Sequence, residues 1–405
     1  MFAKLKSVYK SPHAAHFLGC MLIFGVVTGI YTGVLNNYLH EVLSITRLER
    51  GIVEFPRELP GLLLFALLAL LYRFSEMRLM LVALAVSALG LLGLWGFGDM
   101  RWIAIGMMIL YSIGEHLMMP IRQSVAMHMA EPGKEGFAMG GVAGLGNLGQ
   151  VIGAYFVPAL FLGFRWLFPD LLPFAKFRVV FFIAACILGA GIVIALFIRE
   201  DGRHVPRKKL YFKRKFTKYY ILEVFFGARK QVFITFAPYV LIIHYHAQTE
   251  LVSFLYGLWS LANIFFSPLV GRLLDRAGYK PVIVVDAVIL TGLCLLYGFS
   301  HHLFPSGVAF IVICGVFVLD AILFVVGIAR AMYVRSLCET KEEVTTVLST
   351  GISINHIVSI IIAILGGLLW ERLGLEVLFS IAALLGFGSF VFSLTLPKVE
   401  NRSRP

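Results

Sequence analysis

Long apolar stretches, each closed by a short polar or charged one, run the length of the chain. Twelve reach the roughly 20 residues that a helix needs to cross a bilayer: about 14–40, 48–72, 77–98, 102–129, 136–161, 178–199, 219–246, 251–272, 280–300, 305–334, 344–370 and 374–396. Only helices and closed barrels satisfy every backbone polar group in lipid. These stretches are too long and too continuously apolar for barrel strands, so the pattern predicts an all-α membrane protein. The first stretch, Ala14 to Leu39, follows Lys4, Lys6 and Lys10. It exceeds the roughly 7–15 apolar residues of a secretory signal and is read as a span.

Composition agrees with this picture. The 405 residues are 59% hydrophobic and 14% charged, with a mean hydropathy of +0.88. Soluble chains average about 45–50% apolar and about 25% charged. A formal net charge of +12 could suggest nucleic acid as a partner. The Lys and Arg residues lie mainly in short connections, however, which is how membrane orientation is encoded, so no nucleic-acid partner is expected. With the N-terminus inside, most of them fall on the cytoplasmic side of twelve spans. The largest block, REDGRHVPRKKLYFKRKFTK at 199–218, lies between spans 6 and 7. An even number of spans returns Lys398, Arg402 and Arg404 to the same side. Both termini are therefore expected in the cytoplasm and the chain in the plasma (inner) membrane. The expected organisation is 1–200 as one six-helix bundle, 201–218 as a basic cytoplasmic linker, and 219–405 as a second bundle with a tail. Cys20, Cys186, Cys294, Cys314 and Cys338 show no metal or redox spacing. No metal site and no cofactor is expected.

The turn between spans 8 and 9 reads GRLLDRAGYKP. Gly271, Leu273, Asp275, Arg276, Gly278 and Lys280 match the cytoplasmic loop motif G-x-L-x-D-R-x-G-R-[KR], with Tyr279 in place of a basic residue. The chain thus resembles the major facilitator superfamily. That resemblance implies twelve helices in two pseudo-symmetric six-helix bundles, and a secondary transporter working by alternating access. It assigns Gly271, Asp275, Arg276, Gly278 and Lys280 to a cytoplasmic gate. Glycines at 271 and 278 suit close backbone approach and a tight turn. The corresponding loop between spans 2 and 3, LLYRFSEMR, keeps Arg73 and Arg78 but has Tyr72 and Ser75 where the motif has an acid and a glycine. In span 5, Gly136, Gly140, Gly144, Gly149 and Gly153 line up for close helix packing. GNLGQVIGA there resembles the motif of proton-coupled drug antiporters, G-x-x-x-G-P-x-x-G-G, but Gln150 stands at its proline and Ala154 at a glycine.

Ionisable groups are costly inside a bilayer and point to function. Span 2 holds Glu54, Arg57 and Glu58 at helical spacing, and Pro56 and Pro60. Span 4 holds Glu115 and His116, with Arg122 seven residues beyond Glu115, and span 5 holds Asn147 and Gln150. Span 7 holds Glu223, Arg229 and Lys230, and span 8 the polar row Tyr256, Ser260, Asn263 and Ser267. Span 10 holds Asp320, and span 11 Asn355 and His356. The candidate substrate and coupling cavity is Glu54, Arg57, Glu58, Glu115, His116, Asn147, Gln150, Arg229, Lys230, Asn263, Asn355 and His356. In this reading Arg57, Arg229 and Lys230 attract an anionic part of the substrate, while Glu58, Glu115 and His116 pair with them or carry protons. Internal salt bridges tying helices together are the alternative. Arg330 and Arg335 read as orientation signals.

No G-x-x-x-x-G-K-[ST] phosphate loop occurs, which argues against ATP hydrolysis. The expected function is secondary active transport of a small organic solute, anionic or zwitterionic, coupled to protons. Two alternatives stay open: proton-coupled efflux of amphipathic compounds, and an intramembrane lipid-modifying enzyme.

Overall fold

The computed structural model describes residues 7–64, 67, 71, 74–198 and 212–397, apart from the side chains of Lys341, Glu342 and Thr345. Thirteen α-helices are described: α1 Ala14–Glu41, α2 Arg47–Leu62, α3 Glu76–Phe97, α4 Arg101–Met129, α5 Glu135–Leu167, α6 Pro173–Leu196, α7 Thr217–Tyr245, α8 Thr249–Ala277, α9 Tyr279–Leu303, α10 Ser306–Val325, α11 Gly327–Leu337, α12 Lys341–Leu373 and α13 Leu375–Leu394. Among the described residues, eleven helices are long and apolar enough to cross a membrane, with α10 and α11 forming one of them. The helix at the expected second span, α2, is not among these eleven as described; beyond it Leu67 N donates to Leu63 O and Leu71 N to Leu67 O.

Helix starts follow local chemistry. Thr46 and Glu49 exchange hydrogen bonds between side chain and backbone at the head of α2, 3.3 Å and 2.9 Å long, a capping box. Ser75 caps α3 by accepting from Arg78 N, and Thr340 caps α12 by accepting from Glu343 N. The ends are equally local: His246, at φ 54°, closes α7.

Three expectations need correction. The tenth span, expected as one helix, breaks at Val326 into α10 and α11. The 271–280 segment is mostly helix, because α8 runs to Ala277 and only Gly278, at φ 77°, makes the turn. A Cβ at Gly271 would meet nothing within 4 Å, so the close approach expected of that glycine is not made. Tyr72, Arg73, most of the basic linker (199–211) and Lys398, Arg402 and Arg404 lie outside the described residues. The linker's described end forms a 3-10 turn, Arg214–Phe216, within which Lys215 pairs with Glu343 at 2.8 Å.

The chain forms two compact units. The first comprises Met1–Ile45, Pro56–Arg207 and Ala247–Leu261. Here α1 packs along α5, α3 along α4, and α6 against both α1 and α3. The α1–α5 seam is backbone on backbone. A Cβ at Gly149 would run into the Leu22 carbonyl, one at Gly153 into that of Val26, and one at Gly25 into that of Gly146. Small residues allow this approach in lipid, where packing rather than the hydrophobic effect holds helices together. The first half of α8 joins the same unit: Ser253 donates to the Ala154 carbonyl at 2.8 Å, and Asn36 to Tyr256 at 3.3 Å. A short N-terminal strap is clipped to the α4–α5 turn by Lys10 N to Met129 O and Glu131 N to Val8 O. Tyr9 adds a hydrogen bond to the Ala138 carbonyl at 3.0 Å.

The second unit comprises Thr46–Phe55, Lys208–His246 and Ala262–Pro405. Here α7 packs on α12, and α9 on α13 and α10. An apolar core that includes Phe216, Leu222, Leu274, Val282, Ala329 and Val347 lies at the Gly278 end. The first turns of α2 lie against α12, where Gly51 abuts the Ala363 carbonyl and the Arg47 guanidinium lies 5.4 Å from the Trp370 ring centre.

Candidate functional site

In the first unit, α1, α4 and α5 enclose a cleft of about 500 Å³, including the space open to solvent. Glu115, Arg122 and Gln150 line it with Thr28, Phe24 and Met119. Glu115 and Arg122 are seven residues apart on α4, so they face the same side two turns apart, about 10 Å along the axis. Both are half-buried. Neither forms an ion pair or hydrogen bond among the described residues, in contrast to Arg50, Glu54, Glu223, Arg229, Asp320 and Arg330. Gln150 accepts from Ser260 at 3.4 Å. The glycines that draw α1 against α5 also bring Thr28 and Gln150 to one wall.

Of the remaining first-unit candidates, Arg57, Glu58 and His116 are engaged. Arg57 lies beside Glu58 at 3.4 Å, and its carbonyl accepts from Ser112 at 2.5 Å. His116 Nδ1 sits 2.8 Å from the Ser112 carbonyl, which fixes the ring by donation from Nδ1. Asn147 is half-buried on α5.

The second unit holds a buried, charge-balanced cluster. Arg229 is 2% exposed and pairs with Asp320 of α10 at 2.6 Å. Glu223 pairs with Arg330 of α11 at 2.8 Å, and Arg330 also lies 3.4 Å over the Phe226 ring. Lys230 donates to Asn355 of α12 at 2.8 Å. Asp286 of α9 lies within electrostatic reach of Arg229, Arg330 and Asp320, yet its Oδ1 is buried with no hydrogen-bond partner, as are Nε and Nη1 of Arg229. Separately, Glu54 pairs with Arg50 at 2.6 Å and accepts from Gln231 at 3.2 Å. Asn263 and His356 are buried, and the Asn263 carbonyl accepts from Ser267 at 2.5 Å.

The structure therefore brings Glu115 and Gln150 to one cleft, and Arg229, Lys230 and Asn355 into one cluster. It ties Glu54 to Arg50 rather than to Arg57. Sequence reasoning passed over Arg50 and Asp286 and left Asp320 without a partner. It read Arg330 as an orientation signal, whereas its guanidinium is bound to Glu223. A lone acid in VIVVDAVIL was the available signal for Asp286. Of the residues expected at a gate, Lys280 donates to the carbonyls of Leu394 and Leu396 at 2.7 and 2.6 Å, and Asp275 and Arg276 are exposed at the end of α8.

The sequence profile of the Major Facilitator Superfamily matches residues 17–228 and 219–405. The chain belongs to the major facilitator superfamily. It is thus an integral membrane protein and a secondary transporter rather than an intramembrane enzyme. Solved structures of this fold resemble it throughout. The nucleoside transporter NupG is 12% identical with a TM-score of 0.72, covering 96% of this chain and 100% of that one. A D-xylose–proton symporter is 13% identical with a TM-score of 0.72, covering 95% and 96%. A POT family transporter in complex with a thioalcohol-conjugated peptide is 13% identical with a TM-score of 0.72, covering 94% of each chain. At these identities the likeness carries the fold and not the substrate. No curated protein sequence matches the chain.

Proposed function

We propose that this major facilitator moves a small zwitterionic organic solute coupled to protons, with the first-unit cleft as a substrate subsite. The observation that carries this reading is the pairing of opposite charges in one cleft without a bond between them. Glu115 and Arg122 both line it, half-buried, so each has interaction capacity left for a ligand. A solute with an ammonium and a carboxylate answers both charges; a simple anion answers only Arg122. Phe24, Met21 and Met119 supply an apolar wall, and pockets of this kind bind by apolar contact with a few polar anchors. The structural neighbours include proteins described as nucleoside, peptide and sugar–proton transporters, all handling small polar solutes.

For the proton we assign Asp286. A carboxylate already in an ion pair leaves a buried charge unbalanced when it is protonated. Asp286 has an oxygen without a partner and can take a proton at lower cost than Asp320, Glu223 or Glu54, which are paired. We further propose the two-bundle organisation 1–200 and 219–405 about a cytoplasmic linker at 201–218, and both termini in the cytoplasm of the plasma membrane. In the same reading Gly271, Asp275, Arg276, Gly278 and Lys280 act as the cytoplasmic gate.

The test is a ligand-stabilisation screen on purified protein across zwitterions, anions and lipophilic cations, since a ligand of the folded state raises its stability by mass action. Zwitterions are expected to stabilise the wild type. Charge-assisted hydrogen bonds are worth about 1.5–3 kcal/mol each, so Glu115→Gln and Arg122→Gln should each weaken binding by roughly 10- to 150-fold. Asp286→Asn should bind normally and catalyse exchange, but lose accumulation driven by a pH gradient. Stabilisation by lipophilic cations alone would replace this reading with efflux of amphipathic compounds.

A further inference from the structure

His301 and His302 are consecutive in the last turn of α9, at the end of that helix opposite Gly278. Both bring Nε2 to the same oxygen, Glu376 Oε1, at 2.9 and 3.0 Å. Glu376 stands in the first turn of α13, directly after the glycine turn at Gly374 (φ 95°) that follows α12. The two imidazoles are 4.0 Å apart, and His244, in the last turn of α7, brings a third ring to 5.0 Å from His301. One ligand atom from each of His301, His302 and Glu376 lies within 4.8 Å of the other two. His301 Nδ1 is buried with no hydrogen-bond partner.

We propose that His301, His302 and Glu376 form a binding site for a divalent transition metal of the Zn²⁺ class, with His244 beside it as a further imidazole. The spacing is that of ligands around one ion. With bonds of about 2.0–2.1 Å, neighbouring ligand atoms stand about 2.9 Å apart in octahedral and about 3.3 Å apart in tetrahedral geometry. The observed 2.9 and 3.0 Å separations from Glu376 Oε1 need at most a few tenths of an ångström of opening, and the two imidazole nitrogens, within 4.8 Å of each other, close on the ion by side-chain rotation. Two imidazoles and one carboxylate suit Zn²⁺, Ni²⁺ or Co²⁺ rather than Mg²⁺ or Ca²⁺. The cluster is separate from the charges around Arg229. His244 and Arg229 are fifteen residues apart on α7, about 22 Å along its axis. A bound ion would tie the end of α9 to the start of α13, two segments 75 positions apart in sequence, so the site gives no motif.

The experiment uses the full-length protein in detergent with any affinity tag removed. Zn²⁺ is titrated by calorimetry and thermal unfolding, and Co²⁺ by visible absorbance. The wild type is expected to bind one Zn²⁺ per chain at micromolar concentration, to unfold at higher temperature with it, and to be unaffected by Mg²⁺ or Ca²⁺. His302→Ala and Glu376→Gln should each weaken Zn²⁺ binding at least roughly tenfold, since loss even of an outer partner of a ligand costs about that much, and should abolish the Co²⁺ ligand-field bands. The His302 side chain is 59% exposed, so its truncation leaves the fold intact even if Glu376→Gln does not. Wild-type affinity in His302→Ala, or no Zn²⁺ binding by the wild type, overturns the proposal.

Discussion

Replacing Asp320 with asparagine removes one charge of a deeply buried ion pair between two helices of the second unit. Arg229 and Asp320 stand 2.6 Å apart with side chains only 2% and 8% exposed. At an effective dielectric constant of about 20 their direct attraction is about 6 kcal/mol, much of it offset by the cost of taking both ions out of water. Deleting one partner keeps the desolvation of the other and loses the attraction, which typically costs about 3–5 kcal/mol. Asp286 modifies that figure, because its free Oδ1 lies within electrostatic reach of Arg229 and can take over the guanidinium. Asp320→Asn should therefore fall at the lower end, about 3 kcal/mol, and Asp286→Asn/Asp320→Asn should reach about 5 kcal/mol. Removing both charges with Arg229→Met/Asp320→Leu should restore stability to within about 1 kcal/mol of wild type, since an apolar pair often replaces a buried ion pair without loss. The assay is equilibrium unfolding in mixed detergent–denaturant micelles followed by far-UV circular dichroism, read as a mutant cycle. An Arg229→Met/Asp320→Leu protein less stable than Asp320→Asn alone would refute the reasoning, as would an Asp320→Asn protein indistinguishable from wild type.

Two further outcomes follow from the geometry. Gly149→Ala should destabilise by about 1–3 kcal/mol, because its Cβ meets the Leu22 carbonyl and overpacking is costly. Gly140→Ala, with nothing within 4 Å, should stabilise the helix by about 0.5–1 kcal/mol, and a common sign for the two in thermal unfolding would contradict the α1–α5 seam. Cys338, just beyond α11, has its thiol pushed up by burial and by the neighbouring Glu343 carboxylate. In a variant keeping only this cysteine, an impermeant maleimide should react slowly at neutral pH, faster as rising pH supplies thiolate, and faster again in Glu343→Gln. In intact cells it should react only after permeabilisation, so labelling from outside would refute the cytoplasmic placement of the α11–α12 connection.

The spans were legible because hydropathy is read one segment at a time, and membrane helices need no partner to be recognised. The expected 77–98, 102–129 and 280–300 became Glu76–Phe97, Arg101–Met129 and Tyr279–Leu303. The interruption at Val326 was hidden, because that residue lies inside an unbroken apolar run and keeps helical dihedrals, φ −60° and ψ −15°. The glycines of α5 were visible as a row, but their counterparts Gly25 and Gly29 on α1 were not, since a seam between two helices is a property of neither sequence alone. The charges show the same limit more sharply. A charge inside an apolar run announces that it must be compensated, but not by what: Asp320 is 91 positions from Arg229, and Glu223 is 107 from Arg330. Charge within the membrane therefore marks two different things. Glu54, Arg229 and Glu223 are compensated by the protein itself and, through Gln231, Asp320 and Arg330, link helices. Glu115 and Arg122 open onto a cleft without such bonds, and it is this residual capacity, which only the packed structure reveals, on which their proposed binding role rests.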